Sequence, residues 1–275
     1  MKAPDFDYRR PGDLAQALAL LTDGGGEAQP LAGGQSLMPM LNFRVAGPAT
    51  LVDLADIAEL RGVTRADGWL RIGAMTRYAE LADIDDVPLI AMALPHIAHD
   101  AIRNRGTLGG SLALADPAAE MPAVMRALGA VIELAGPDAT REVAADDFFL
   151  GYYDTACAED ELIVAIRVPI AADGWRFGFH ELTQRHGDYA ITGVAIAAGP
   201  GADPVRIAYF GVSDRAIRAD AAEDALTGTD FGANAVAAAL PHLAGLEIEG
   251  DLKASEALRR RYAAICLTRA TEAMR

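Results

Sequence analysis

Lysine is nearly missing from this chain of 275 residues: Lys2 and Lys253 stand against 22 arginines. Schiff-base chemistry needs a lysine amine inside a site, and neither of these end-region lysines is placed for it. Cysteine is as scarce, with Cys157 and Cys266 far apart and no C-x-x-C or clustered Cys/His pattern. Iron–sulfur clusters and structural zinc are held by grouped thiolates and imidazoles, so neither is expected on this chain, and the two thiols read as inert core residues. Neither G-x-G-x-x-G nor G-x-x-x-x-G-K-[ST] occurs, which removes the Rossmann fingerprint and the P-loop. The G-Q-S-L-M run around Ser36 is not G-x-S-x-G and no Ser-His-Asp set is readable, so a hydrolase is not expected. No apolar run is long enough to span a bilayer, and the opening MKAPDFDYRRPGD lacks the apolar stretch of a secretory signal. The expected compartment is the cytoplasm. A net charge of −15 argues against nucleic acid or an anionic membrane as partner. A hydrophobic fraction of 52% over this length allows a large core.

Serine is rare too, and its placement is informative. The four serines are Ser36, Ser111, Ser213 and Ser255, and two of them follow a double glycine. One lies in LAGGQSLMPMLN (Leu31 to Asn42) and the other in RNRGTLGGSLALADPAAEMP (Arg103 to Pro122). Glycine allows positive φ and lets another group approach the backbone. Successive N–H groups in such a turn form an anion-binding hollow. Ser36 reads as a helix N-cap, with Leu37, Met38 and Pro39 as the first turn. Two such loops could hold the two ends of one diphosphate; the alternative is a pair of tight turns without a ligand.

Along the chain, Pro11 to Leu21 reads as a helix capped by Asp13, with Leu14, Ala17, Leu18 and Leu21 at helical spacing and GGGE ending it. Strands follow at Gln29 to Ala32 and Thr50 to Leu54. GVTRADGWLRIGAMT alternates around Asp67-Gly68, a hairpin signal. Tyr78 to Ala82, Pro88 to His99 and Glu120 to Leu128 read as helices, the last behind an Asp116-Pro117 turn. His96 and His99, with Asp100 beside them, lack a further placed metal ligand and read as surface or core histidines. Arg103 and Arg105 suit either phosphate or helix-end and carboxylate pairing. Glu161 to Val168 is apolar enough for a strand buried on both faces. After a linker at Ala171 to Gly174, RFGFHELTQR, AITGVAIAAG and VRIAYFGV read as three antiparallel strands. Helices are expected over Asp214 to Thr227, over Asn234 to Leu240 and at the C-terminus, where Leu258, Tyr262 and Ile265 fall at helical spacing. Strands with helices on one face make an α+β layer.

Three segments in this order, LAGGQSLMPMLNFR, RNRGTLGGSLALADPAAEMPAV and QRHGDYAITGVA, resemble the flavin-binding medium subunit of the molybdenum hydroxylases, the family of carbon monoxide dehydrogenase and xanthine dehydrogenase. The likeness runs from FDYRRP to the C-terminal helix. It implies an α+β chain. A two-part α/β FAD-binding domain of the PCMH-like kind would occupy residues 1–172, in parts of about 1–54 and 55–172. A smaller α+β domain with a three-stranded antiparallel sheet and helices would occupy 176–275. The resemblance further implies FAD across both glycine segments, touching Ala32, Gly33, Gly34, Gln35, Ser36 and Leu37 on one side and Thr107, Gly109, Gly110 and Ser111 on the other. Ala115, Glu120, Leu162, Asp188 and Tyr189 are the further implied contacts. Glu120 has two readings, a first-turn acid favoured by the helix dipole or a carboxylate accepting hydrogen bonds from the flavin's ribityl hydroxyls. Asp116 reads as a turn former. Tyr189 would lie near the flavin ring. Gln35 stands where close relatives commonly carry histidine, so FAD is expected without a covalent bond.

In the family, electrons reach this subunit from two [2Fe–2S] clusters on a small subunit. A large subunit carries molybdenum. The resemblance therefore implies an electron-transfer subunit in a dimer of heterotrimers, with no catalytic side chain and no metal of its own. Two alternatives stand beside it: a stand-alone FAD-dependent oxidase or dehydrogenase, and a non-catalytic scaffold subunit that has lost FAD.

Overall fold

The computed structural model describes residues 2–201 and 203–275. The chain opens with β1 (Asp7–Arg9), α1 (Leu14–Gly24), β2 (Ala28–Leu31), α2 (Leu37–Asn42) and β3 (Thr50–Asp53). The strands form a parallel sheet in the order β1-β3-β2. Helix α1 begins where Asp13 accepts the Gln16 N–H at 2.8 Å and stops at Gly25, whose φ of +54° is left-handed. Its stripe of Ala17, Leu18 and Leu21 is buried, as the spacing requires.

The middle of the chain builds a second sheet. It starts with β4 (Val63–Ala66) and β5 (Trp69–Gly73). Ala66 pairs with Trp69, and Asp67 and Gly68 both have positive φ, +51° and +79°, as a two-residue hairpin turn demands. Five helices follow: α3 (Tyr78–Leu81), α4 (Pro88–Ala93), α5 (Asp100–Arg103), α6 (Leu108–Leu114) and α7 (Glu120–Leu128). Then come β6 (Val131–Ala135), β7 (Thr140–Ala144), α8 (Ala145–Phe148), the short pair β8 (Phe149–Gly151) and β9 (Asp154–Thr155), and β10 (Leu162–Pro169). The sheet is antiparallel in the order β4-β5-β10-β6-β7, with the apolar β10 in its centre. The helix expected over Pro88 to His99 is shorter: it ends at Ala93, tightens to a 3-10 turn over Leu94–His96 and breaks at Ala98, whose φ is +45°. Pro95 has no N–H to continue the ladder.

The last third forms β11 (Arg176–Leu182), β12 (Thr192–Ala198), β13 (Val205–Phe210) and β14 (Ile217–Arg218), then α9 (Asp220–Leu226), α10 (Ala233–Ala239) and α11 (Glu256–Glu272). The expected three-stranded sheet thus gains a fourth, two-residue strand in the order β11-β12-β13-β14. Ile217 and Arg218 pair with Tyr209 and Ala208, so the helix expected from Asp214 begins only at Asp220. Two residues are too few to show an alternation. In α11 the inward stripe is Arg259, Ala263, Cys266, Leu267 and Ala270, whereas Leu258, Tyr262 and Ile265 stay only partly buried. Close approach decides this: a Cβ on Gly178 of β11 would lie 2.5 Å from the Ala270 carbonyl oxygen, so the helix presents its small residues to the strand.

Helix α7 is the joint. Eight of its nine residues are buried. Ala195, Ala197, Ala208 and Phe210, on one face of the last sheet, share its core, while Val194, Ile196, Ile207 and Tyr209 on the other face pack with α9 to α11. Among the described residues, no helix is long and apolar enough to cross a membrane.

Candidate functional site

The first glycine segment leaves β2 and turns into α2. Gly34 has φ +70°, in the left-handed region. The backbone N–H groups of Gly34, Gln35, Ser36 and Leu37 reach no acceptor among the described residues. Ser36 sits before α2, but its backbone is helical and its hydroxyl makes no cap hydrogen bond. The expected cap is therefore not formed, and the hydroxyl stays available. Gln35 donates its side-chain amide to the Gly33 carbonyl at 2.9 Å.

The second glycine segment differs from expectation. Gly109 and Gly110 lie in the first turn of α6, not in a positive-φ loop. Thr107 caps that turn, accepting the Gly110 N–H at 3.1 Å. The N–H groups of Leu108, Gly109 and Ser111 reach the carbonyls of Thr76, Ala74 and Thr107 at 3.0, 2.8 and 3.1 Å. The N–H groups of Leu108 to Ser111 are all used, so these glycines serve close packing. A Cβ on Gly109 would lie 2.5 Å from the Ala74 Cβ, and one on Gly110 would lie 3.2 Å from the Ala32 Cβ. A Cβ on Gly33 would lie 2.2 Å from the Arg105 carbonyl oxygen. The two segments abut backbone to backbone, one carrying free donors and the other forming a flat wall.

Beyond the wall, α6 ends at Ala115 in a left-handed conformation, φ +51°. Asp116 accepts the Ala118 N–H at 2.9 Å, making the turn into α7. Glu120 opens α7 with 6% exposure, and its carboxylate has no hydrogen bond to another described residue. Burial, with Glu181 and Asp116 adding to it, pushes its pKa up to about 8. The Tyr78 hydroxyl is buried with no hydrogen-bond partner. Burial raises its pKa, Ser111 opposes the shift, and Glu120 and Tyr189 add to it. Tyr189 is 48% exposed, with its hydroxyl toward Asp116; burial first, then Asp116, Tyr153 and Glu120, push its pKa up to about 12. The Tyr153 hydroxyl lies 3.5 Å from Asp116.

The fold thus brings together Ala32 to Leu37, Thr107 to Ser111, Ala115, Glu120 and Tyr189. Leu162 is 3% exposed, in the core with Leu21, Ala28 and Val52 against which Ala32 packs. Asp188 is exposed, its N–H closing a turn on the Arg185 carbonyl at 3.0 Å, and no contact joins its carboxylate to the cluster. Arg103 follows its helix-end reading, donating to the Ile97 and Ala98 carbonyls at 2.7 and 3.1 Å and pairing with Asp100. Among the described residues, no group of three or more His, Cys, Asp and Glu could hold a metal ion. Both thiols are pushed up to about 12 by burial, which leaves them inert. Tyr78 and Tyr153 lie beside Glu120 and Asp116, and no local pattern marks them.

Comparison with known proteins gives the family. The family described as "FAD binding domain in molybdopterin dehydrogenase" matches residues 4–171, and the "CO dehydrogenase flavoprotein C-terminal domain" matches residues 177–274. The chain is 40% identical over 231 residues to the carbon monoxide dehydrogenase medium chain of Afipia carboxidovorans, covering 82% of this chain and 80% of that one. It is 38% identical over 247 residues to the 6-hydroxypseudooxynicotine dehydrogenase complex subunit alpha of Paenarthrobacter nicotinovorans, covering 87% and 83%. A solved carbon monoxide dehydrogenase from Hydrogenophaga pseudoflava superposes with a TM-score of 0.95 at 39% identity, over 100% of this chain and 98% of that one. The chain belongs to the family of FAD-binding medium subunits of the molybdenum hydroxylases.

Proposed function

We propose that this chain holds FAD without a covalent bond over the seam where Ala32–Leu37 meets Thr107–Ser111, and passes electrons from an iron–sulfur partner subunit to a terminal acceptor. The observation that carries the reading is the run of four unpaired N–H groups at Gly34 to Leu37, beside the buried, unpartnered Tyr78 hydroxyl. A buried polar group left unpaired costs about 1–3 kcal/mol. Free backbone donors beside this hydroxyl and the Glu120 carboxyl fit a ligand that brings both acceptors and donors. The four N–H groups suit a diphosphate. Glu120 suits hydroxyl donors, and Tyr189, half exposed at the rim, suits one face of an aromatic ring. FAD supplies the redox chemistry; these residues bind it, orient it and limit its contact with water. Gln35 offers no nucleophile for attachment.

In this reading the chain consists of two units, residues 1–172 and 176–275. It works in the cytoplasm with a large molybdenum subunit and a small [2Fe–2S] subunit, as a dimer of heterotrimers. Its relatives are named as the medium chain of carbon monoxide dehydrogenase, subunit beta of caffeine dehydrogenase and the medium subunit of nicotine 6-hydroxylase, so the organic substrate is chosen elsewhere in the complex. Mixing the FAD-loaded chain with a prereduced iron–sulfur partner should bleach the flavin absorbance. Organic substrates of those enzymes should leave the isolated chain unbleached, and bleaching by substrate alone would favour a stand-alone dehydrogenase.

A further inference from the structure

Arg103 and Arg105 enter with the same two readings, phosphate or helix-end pairing, and the fold separates them. Arg103 is engaged by the Ile97 and Ala98 carbonyls and by Asp100. Arg105 is not engaged, and Arg77 shares its condition. Apart from these two, Arg185 and Arg261, every arginine meets a carboxylate, a carbonyl or an imidazole among the described residues. Acids outnumber bases 39 to 24 in this chain, so a shortage of carboxylates does not explain the free guanidiniums.

The place of these two residues does. The Tyr78 N–H donates to the Gly106 carbonyl and the Leu108 N–H to the Thr76 carbonyl, each at 3.0 Å. These bonds enclose Arg77 and Thr107 as a directly opposed antiparallel pair without hydrogen bonds between them. That arrangement brings two side chains closest together on one face. Thr107 turns its hydroxyl to the Gly110 N–H at 3.1 Å, and a Cβ on Gly110 would lie 3.2 Å from the Ala32 Cβ. Arg77 therefore starts from the face of Thr107 that meets the first glycine segment. Arg105 meets the same segment through its backbone, its carbonyl oxygen 2.2 Å from where a Cβ on Gly33 would stand. The next residue, Gly34, is the first of the four with a free N–H. Glu80 accepts the Arg77 backbone N–H at 2.8 Å and does not pair with its guanidinium. Both side chains are exposed.

We propose that Arg77 and Arg105 are the cations that hold the diphosphate over this seam. The proposal rests on the FAD reading above. A diphosphate brings two negative charges to a chain of net charge −15, whose field opposes its approach. The backbone donors at Gly34 to Leu37 fix where its oxygens lie, but a peptide N–H carries only a partial charge. Full positive charge beside them offsets the repulsion, and the guanidinium fork matches phosphate oxygens. Arginines without an internal partner keep that charge available, and their exposed position lets them meet a ligand arriving from solvent.

Fluorescence titration of the flavin-free chain with FAD at low and high salt tests this. Wild-type affinity should fall as salt rises, because the attraction between guanidinium and diphosphate is screened. The double variant Arg77→Gln/Arg105→Gln should bind FAD at least about twentyfold more weakly at low salt and should not weaken further as salt rises. Arg77→Lys/Arg105→Lys should keep the salt dependence, which a role in packing alone would not predict. Arg261→Gln removes the same charge from an exposed arginine of α11 and should bind FAD as wild type does. Wild-type affinity and salt dependence in the double Gln variant overturn the proposal. Should that variant not fold, Arg77→Gln alone decides, with an expected loss of about fivefold. A wild-type chain that binds no FAD at any salt removes the cofactor reading itself, and the proposal with it.

Discussion

Gly33→Val is expected to strip the chain of its FAD. The new Cβ would stand 2.2 Å from the Arg105 carbonyl oxygen, 2.8 Å from its carbon and 2.9 Å from the Gly106 Cα. All three atoms are backbone, so no rotamer change relieves the contact. The two glycine segments must part, and the donors at Gly34 to Leu37 move away from the wall at Thr107 to Ser111. Overpacking of this kind costs up to about 3 kcal/mol and occasionally more, which corresponds to an FAD affinity weakened by about 100-fold. Gly245→Ala is the control, because a Cβ there meets nothing within 4 Å and the residue does not have positive φ. FAD titration of the two purified variants checks the expectation. An unweakened affinity in folded Gly33→Val would place the flavin elsewhere.

The second large effect falls on the joint between the two halves. Asp146 on α8 meets Arg126 of α7 at 3.3 Å, Arg206 of β13 at 2.5 Å and Arg218 of β14 at 3.1 Å. Arg206 also donates to the Arg126 carbonyl at 3.0 and 2.9 Å, and Arg126 donates to the Ala216 carbonyl. One carboxylate thus holds together three guanidiniums from both sides of the interface. Asp146→Ala leaves them facing one another, with Arg218 retaining only Glu223. Removing one partner of a fully buried ion pair costs about 3–5 kcal/mol. The Asp146 side chain is 36% exposed, so solvent screening reduces the expected loss to about 2–3 kcal/mol. Burial works to raise the Asp146 pKa, but the Arg206 hydrogen bond and the charges of Arg206, Arg218 and Arg126 outweigh it and hold the carboxyl below its ordinary value. A depressed carboxyl contributes stability above its unfolded value of about 3.9 and loses it as pH falls through the folded value. The gap between wild type and Asp146→Ala should therefore be full at pH 7 and close as the pH drops below about 4. Denaturant midpoints across that range measure it, and equal midpoints at pH 7 would contradict the assignment.

Much of this was legible because its signals are local. Asp13 and the glycines after Asp23 bound α1, and Asp67-Gly68 marks its hairpin within two residues. The apolar run around Ile163 identifies a central strand. What could not be read depended on distant neighbours. Thr107 to Ser111 looks like Ala32 to Ser36 in sequence, but Thr107 caps a helix and Ala74 presses on Gly109, so one double glycine is a loop and the other a helix turn. The stripe of Leu258, Tyr262 and Ile265 lost the inward position on α11 to Ala263 and Ala270, since only small side chains fit against Gly178. Tyr78 is an ordinary tyrosine until the fold encloses its hydroxyl.

The central claim is that the chain itself carries FAD, held by packing and hydrogen bonds alone. The absorbance spectrum of the purified chain, recorded before and after denaturing precipitation, tests it most directly. The account predicts flavin bands corresponding to a single FAD per chain, with all of the flavin in the supernatant after precipitation. A colourless chain that takes up no added FAD would contradict it, as would flavin that stays attached to the precipitated polypeptide.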